Sequence, residues 1–228
     1  MNIIFTNTSN MPDIDRPQLA SKFIPDWYKE VESYVGGEKK PNGDAGTSAT
    51  IKRCMPVFDA ITAGYIITSP ADVWVSLREN NSQFFEWSAL DLISFHPIDQ
   101  APNHPELKRH AYPKWVNHWS VRTPKGYSTL FVQPFHRESV FTILPGIVDT
   151  DEYYAPVNFP MVINDPEFQG LIPKGTPIAQ VIPFKRDDWE MTIGGEEDLM
   201  MAVRNTQKLQ TTFFDRYKNM FRQDKTHR

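Results

Sequence analysis

With 228 residues, 40% hydrophobic and 23% charged, the chain can bury a substantial core and reads as one soluble domain, not a disordered or fibrous polypeptide. A formal net charge of -4 lacks the basic excess of a nucleic-acid coat, and no stretch reaches the roughly 18 apolar residues of a membrane-spanning helix. The single cysteine, Cys54, excludes an internal disulfide and a multi-cysteine zinc site.

The N-terminal MNIIFTNTSNMPDID has neither the basic start nor the apolar core of a signal peptide, so the expected compartment is a cytoplasm, bacterial or of an infected host. Pro25 to Val35 is expected to form a short helix, with proline at its entry and Gly36-Gly37 as its stop. Gly36 to Thr50 is small, polar and aperiodic, the composition of a mobile loop. Ile51 to Thr62 reads as a second short helical segment, with Cys54 in the apolar run Cys54-Met55-Pro56-Val57-Phe58 expected as a buried thiol. From Gly64 to Ile193 the chain reads as a mainly β, antiparallel core, β-clip-like or a distorted barrel or sandwich. Val73–Leu77, Phe84–Trp87, Trp115–Val121 and Ser128–Val132 are rich in aromatic and β-branched residues and bounded by breakers. Nineteen prolines, concentrated in this middle region, exclude long helices there. After Gly194-Gly195 a C-terminal helical segment, 196–222, is expected, with an acidic first turn and an apolar stripe that includes Leu199, Val203, Phe213 and Phe214.

The densest chemistry lies in Gly146-Ile147-Val148-Asp149-Thr150-Asp151-Glu152-Tyr153-Tyr154. Apolar residues before it (Ile143, Leu144, Ile147, Val148) and after Gly175 (Ile178, Ala179, Val181, Ile182) fit short buried strands. Asp149 and Asp151 are two apart, so in extended backbone both face one side, where they can share a water, a sugar hydroxyl or a divalent cation. Asp and Thr also favour turns by bonding nearby amides, and a tyrosine in a β-rich protein is as readily packing as a stacking surface. Both readings stay open at this stage.

The order Gly146-Ile147-Val148-Asp149-Thr150-Asp151, Tyr153, Asn158 and Gly175-Thr176-Pro177-Ile178-Ala179-Gln180 resembles the third conserved motif and following strand of the dUTPase and dCTP deaminase superfamily, over roughly Leu130 to Arg186. The resemblance implies a β-clip fold, a trimeric assembly and a nucleotide or other small anionic ligand. On this basis Asp149 is the catalytic carboxylate that orients water or the sugar, Tyr153 the aromatic under the deoxyribose, and Asp151 and Gln180 further ligand-binding residues. Gln133-Pro134-Phe135-His136-Arg137-Glu138-Ser139 stands where that superfamily has its phosphate element, which makes Arg137 the expected phosphate ligand. Here the chain departs from the pattern. Glu138 adds a negative charge among the phosphates, Glu152 is an insertion before Tyr153, and a glycine-rich aromatic C-terminal arm is missing. Over its whole length, RTPKGYSTLFVQPFHR, PGIVDTD and GTPIAQVIPFKRDDW resemble a bacteriophage and bacterial family of unknown function.

Of His96, His104, His110, His118 and His136, His118 is the best candidate for a metal ligand, on a strand face with Val116, Ser120 and Arg122, but a hydrogen-bonded or exposed histidine is the expectation, and His96-Pro97-Ile98-Asp99 lacks the spacing that puts two ligands on one strand face. His-Glu-x-x-His, Walker and Gly-x-Ser-x-Gly signatures are absent. Arg122, Lys125, His136, Arg137, Lys185 and Arg186 fall near strand ends, where they read either as ordinary surface charge or as a basic mouth beside the Asp149 turn. Three classes follow: a β-clip-like ligand site, a non-enzymatic viral structural or host-interaction protein built on Trp74, Trp87, Trp115 and Trp119, and an iron-dependent oxygenase.

Overall fold

The computed structural model describes residues 1–39, 41–42, 46–79, 82–88, 91–100, 112–210, 215 and 217–227. In chain order its strands are β1 (Ile4–Asn7), β2 (Gln18–Leu19), β3 (Pro41–Asn42), β4 (Gly46–Thr47), β5 (Tyr65–Thr68), β6 (Val73–Leu77), β7 (Gln83–Trp87), β8 (Ile93–His96), β9 (Tyr112–Trp115), β10 (Trp119–Arg122), β11 (Tyr127–Val132), β12 (Phe141–Ile143), β13 (Gly146–Val148), β14 (Phe159–Ile163), β15 (Gly170–Ile172) and β16 (Pro177–Lys185). The helices are α1 (Asp26–Glu30), α2 (Met55–Thr62) and α3 (Glu196–Gln210). The chain forms two compact units, Met1–Phe23 with Ala63–Arg186, and Ile24–Thr62 with Asp187–Arg228.

The first unit is mainly antiparallel β, as expected. Its sheets run β13-β11-β16-β5-β2, β12-β14-β9-β8, β15-β6-β7 and β1-β10, and none closes into a barrel among the described residues. Alternation along the strands drives Ile67, Val75, Phe85, Trp115, Val121, Phe131, Phe141, Phe159, Met161 and Val181 into one shared core. Trp115 and Trp119 are buried there, Trp87 packs against that core, and Trp74 stays exposed. Ile147 is exposed rather than buried, because β13 is the edge of its sheet and pairs with β11 alone.

Trp115–Val121 is not one strand. Asn117 breaks it by accepting from the Trp119 N–H at 3.0 Å and donating to the Trp119 carbonyl at 2.7 Å, so β9 and β10 join different sheets. β1 and β2, ahead of the expected core, add antiparallel strands to β10 and β5. Regular strand ends at Lys185, and the stretch to Ile193 pairs with no strand.

In the second unit, α1 stops at Glu30 rather than Val35, because the following residues turn to pair with the far side of the Gly36–Thr50 segment. Val35 donates to the Ser48 carbonyl at 2.8 Å, Thr50 to the Ser33 carbonyl at 3.1 Å, and Tyr34 bridges Ala49. Within that segment, expected as a mobile loop, β3 pairs with β4 and the buried Ser48 hydroxyl donates to the Glu38 carbonyl at 2.8 Å; residues 40 and 43–45 lie outside the described ones. Ile51–Arg53 is a 3-10 turn capped by the Thr50 hydroxyl, and α2 follows. Cys54, between them, is half-buried rather than buried. The expected C-terminal helix is α3 and, further on, a π-helical turn at Tyr217–Phe221, with Phe213 and Phe214 outside the described residues.

Candidate functional site

The Asp149 turn is built by backbone first. The Glu152 and Tyr153 amides both donate to the Asp149 carbonyl, at 3.0 and 2.8 Å. Thr150, fully inside the turn, shares hydroxyl hydrogen bonds with Thr123 at 2.7 Å and Thr129 at 2.8 Å, and its carbonyl accepts from the Thr123 amide at 3.1 Å. The turn is thereby fastened to the β10–β11 connection, and β11 lies beside β16 through six registered pairs from Tyr127–Lys185 to Val132–Gln180.

The two carboxylates do face a common partner, and it is Arg186. This residue extends the β16 ladder, its amide donating to the Gly126 carbonyl at 2.8 Å, which aims the guanidinium back over the turn. Nη1 donates to Asp151 at 2.7 Å and to Asp149 at 3.1 Å, while Nη2 donates to the second Asp151 oxygen at 2.5 Å. Two parallel bonds between a guanidinium and one carboxylate give the strongest form of this contact. The Asp151 side chain is 1% exposed and also accepts from the Gly126 amide at 2.8 Å. Arg186, opposed by burial and helped by the Gly126 N–H, holds the Asp151 carboxyl down to about 2. The same contacts push the Arg186 guanidinium further up.

Asp149 is the open member of the pair. It accepts from the Ser128 hydroxyl at 2.7 Å, yet its side chain is 64% exposed. Tyr153 and Tyr154 are also exposed, and the Tyr154 hydroxyl donates to the Asp151 carbonyl at 2.8 Å. Beside this turn lies an open concave pocket of about 430 Å³ whose wall includes Arg122, Lys125, Asp151, Glu152 and Tyr154. Arg122 and Lys125 are exposed and form no salt bridge among the described residues. Of the expected basic mouth, then, Arg122, Lys125 and Arg186 gather at the turn.

Arg137 and Gln180 do not join them. Gln180 lies at the opposite end of the β11–β16 pair, roughly 16 Å along the strands at about 3.3 Å per residue, and Arg137 is not among the residues that line the pocket. Gln180 is buried with its amide spent on backbone: the carbonyl oxygen accepts from Phe135 N–H at 3.1 Å and the NH₂ donates to Ala63 O at 2.7 Å. Arg137 is half-buried in the loop after β11, next to His136, whose φ is +54°. His118 contacts the Asp91 carbonyl at 3.0 Å and His96 the Gln100 side chain. Among the described residues no three His, Cys, Asp or Glu side chains converge as a metal site. The Arg186 clamp and the threonine trio were not legible as site features, although Ser128-Thr129, two hydroxyls leading into an apolar strand, is a signal for a buried polar knot.

No protein-family model matches the chain, and no curated protein matches it either. Among solved structures it is similar to a point mutant of the dUTPase from phage phi11 of S. aureus, described with a coordinated structural Mg(II) ion, at 13% identity and a TM-score of 0.37, covering 86% of this chain and 98% of that one. A likeness of that size carries no argument about activity.

Proposed function

We propose that the Asp149–Tyr154 turn and its adjoining pocket bind a small anionic ligand of the nucleotide class. The observation that carries this reading is the pair of exposed cations, Arg122 and Lys125, in one concave pocket with an exposed tyrosine. A guanidinium offers a phosphate a two-pronged donor and an ammonium a point charge. Tyr153 and Tyr154 supply ring faces for a base or sugar. Asp149, with its carboxylate open to solvent, takes a ligand hydroxyl or an attacking water as its proton donor, the role its resemblance implies. A divalent cation in this proposal arrives with the phosphates, since Arg186 already bridges Asp149 and Asp151. Arg137 and Gln180 stand apart from this pocket and the proposal does not use them.

The test is a thermal-shift series with nucleoside triphosphates, monophosphates, unphosphorylated nucleosides and inorganic phosphate, with and without magnesium. Wild-type protein is expected to melt higher with a phosphorylated nucleoside, since a ligand that binds only the native state stabilises it by mass action. Arg122→Ala with Lys125→Ala is expected to abolish the shift, and Asp149→Asn to reduce it where the ligand carries a free hydroxyl. No shift in the wild type, or equal shifts in all three proteins, would leave the interaction-protein reading as the better account.

A further inference from the structure

Every residue from Phe184 to Leu209 is exposed, although this stretch is far from polar. Between the strand and α3, Trp189, Met191 and Ile193 alternate with Glu190 and Thr192, a spacing that sets three large apolar side chains on one face wherever the backbone is extended, and they are 90%, 86% and 88% exposed. In α3, Leu199, Ala202, Val203, Thr206 and Leu209 fall on one stripe at helical spacing, while Glu197, Arg204 and Lys208 lie on the opposite side. A lone helix of about 12–15 residues is marginal in water unless an apolar face is packed. The sequence thus builds an amphipathic helix preceded by an apolar arm, and both are exposed among the described residues.

We propose that the segment from Trp189 to Leu209 is a self-association surface, and that its occupant is the same segment of a second copy, arranged antiparallel about a two-fold axis. The large apolar residues on this face, Trp189, Met191, Ile193, Leu199, Val203 and Leu209, expose on the order of 800 Å² per copy, comparable to the roughly 800 Å² per partner that a stable interface of standard size buries. An apolar stripe of this kind is complementary to itself, which is what a two-fold interface requires. Charge fixes the direction: a parallel pair brings together the acidic first turns, Glu196, Glu197 and Asp198, of both helices, whereas an antiparallel pair keeps them at opposite ends. The same acidic turn disfavours an anionic membrane as occupant, since surface-binding helices carry a basic polar face.

Sedimentation velocity of the full chain from low to high micromolar concentration tests this. The wild type is expected to reach twice the mass of the chain. Leu199→Glu with Val203→Glu, on the stripe, is expected to give the mass of one chain at every concentration, and Arg204→Ala with Lys208→Ala, on the far face, to retain the doubled mass. All four side chains are exposed, and a cooperative urea transition with the wild-type steepness, at a concentration where the wild type sediments as one chain, confirms that the variants fold. A wild type that sediments as one chain throughout overturns the proposal, as does a stripe variant of unchanged mass. Flotation of a single-chain wild type with phosphatidylglycerol vesicles would assign the surface to a membrane instead.

Discussion

A Cβ on Gly64 would stand 2.0 Å from the Val181 carbonyl oxygen, and the residue sits at φ +68°. Gly64→Ala is therefore expected to destabilise by roughly 1–3 kcal/mol from the backbone conformation alone, and by more because the obstructing atom is backbone that β16 holds in its ladder. Urea unfolding measures this, and a loss below about 0.5 kcal/mol, the range of neutral surface changes, would show that the turn before β5 relaxes freely. Gln180 makes a contrasting case at the same end of the sheet. Replacing it by leucine keeps its bulk but leaves the Phe135 N–H and the Ala63 carbonyl without their partner. A cost of about 1–3 kcal/mol is expected for each group orphaned in the interior. An unchanged urea midpoint would mean that the glutamine is held for a ligand and not for the fold.

The Asp149 turn is positioned as an element by three threonine hydroxyls on its inner side, together with the carboxylate contacts to Arg186, Gly126 and Ser128. Thr150→Val removes the hydroxyl that Thr123 and Thr129 share and keeps the shape. It is expected to cost about 1–3 kcal/mol, and to speed hydrogen exchange at the Tyr153 amide, which closes the turn onto Asp149. Unchanged exchange would place the strength of the turn in the Arg186 clamp. Sequence pattern foretold the strands around this turn because Ile143, Ile178, Ala179 and Val181 are apolar and flanked by breakers, and the structure buries all four. It placed Arg186 among the cations near the Asp149 turn, and Arg186 bonds Asp149 itself, while Arg122 and Lys125 line the pocket beside Asp151 and Tyr154. What stayed hidden was non-local. Arg186 meets Asp151 across 35 residues of sequence, and Asn117 interrupts a strand of otherwise suitable residues through bonds to Trp119 that no propensity records. β1 is four residues long, too short to show alternation, and α1 ends early because Tyr34 finds a partner at Ala49.

At the scale of the molecule, each unit carries a carboxylate whose affinity for protons drops on folding. In the first unit it is Asp151, at about 2 beside Arg186. In the second it is Asp59, lowered chiefly by the Arg222 guanidinium, with burial opposing and Lys225 helping; Arg222 Nη2 and Lys225 Nζ each lie 2.8 Å from it. A native pKa below the unfolded value of about 3.9 means that the unfolded chain binds more protons in acid. The stability these groups contribute is thus complete above about pH 5 and is lost as pH falls through the native value, toward about 2 for Asp151. His227, lowered by burial, acts in the same direction but from nearer its unfolded value of about 6.5, because the unfolded ring takes up its proton first. Acidification is therefore expected to weaken the second unit before the first. Hydrogen exchange resolved by peptide, between near-neutral pH and about pH 3 and corrected for intrinsic exchange, should show protection falling earlier in α2 than in β11 and β16. Asp151→Asn should flatten the acid dependence in β11 and β16 and leave that of α2 in place, while Asp59→Asn does the reverse. Equal flattening of both by either substitution would show that the two units unfold as one.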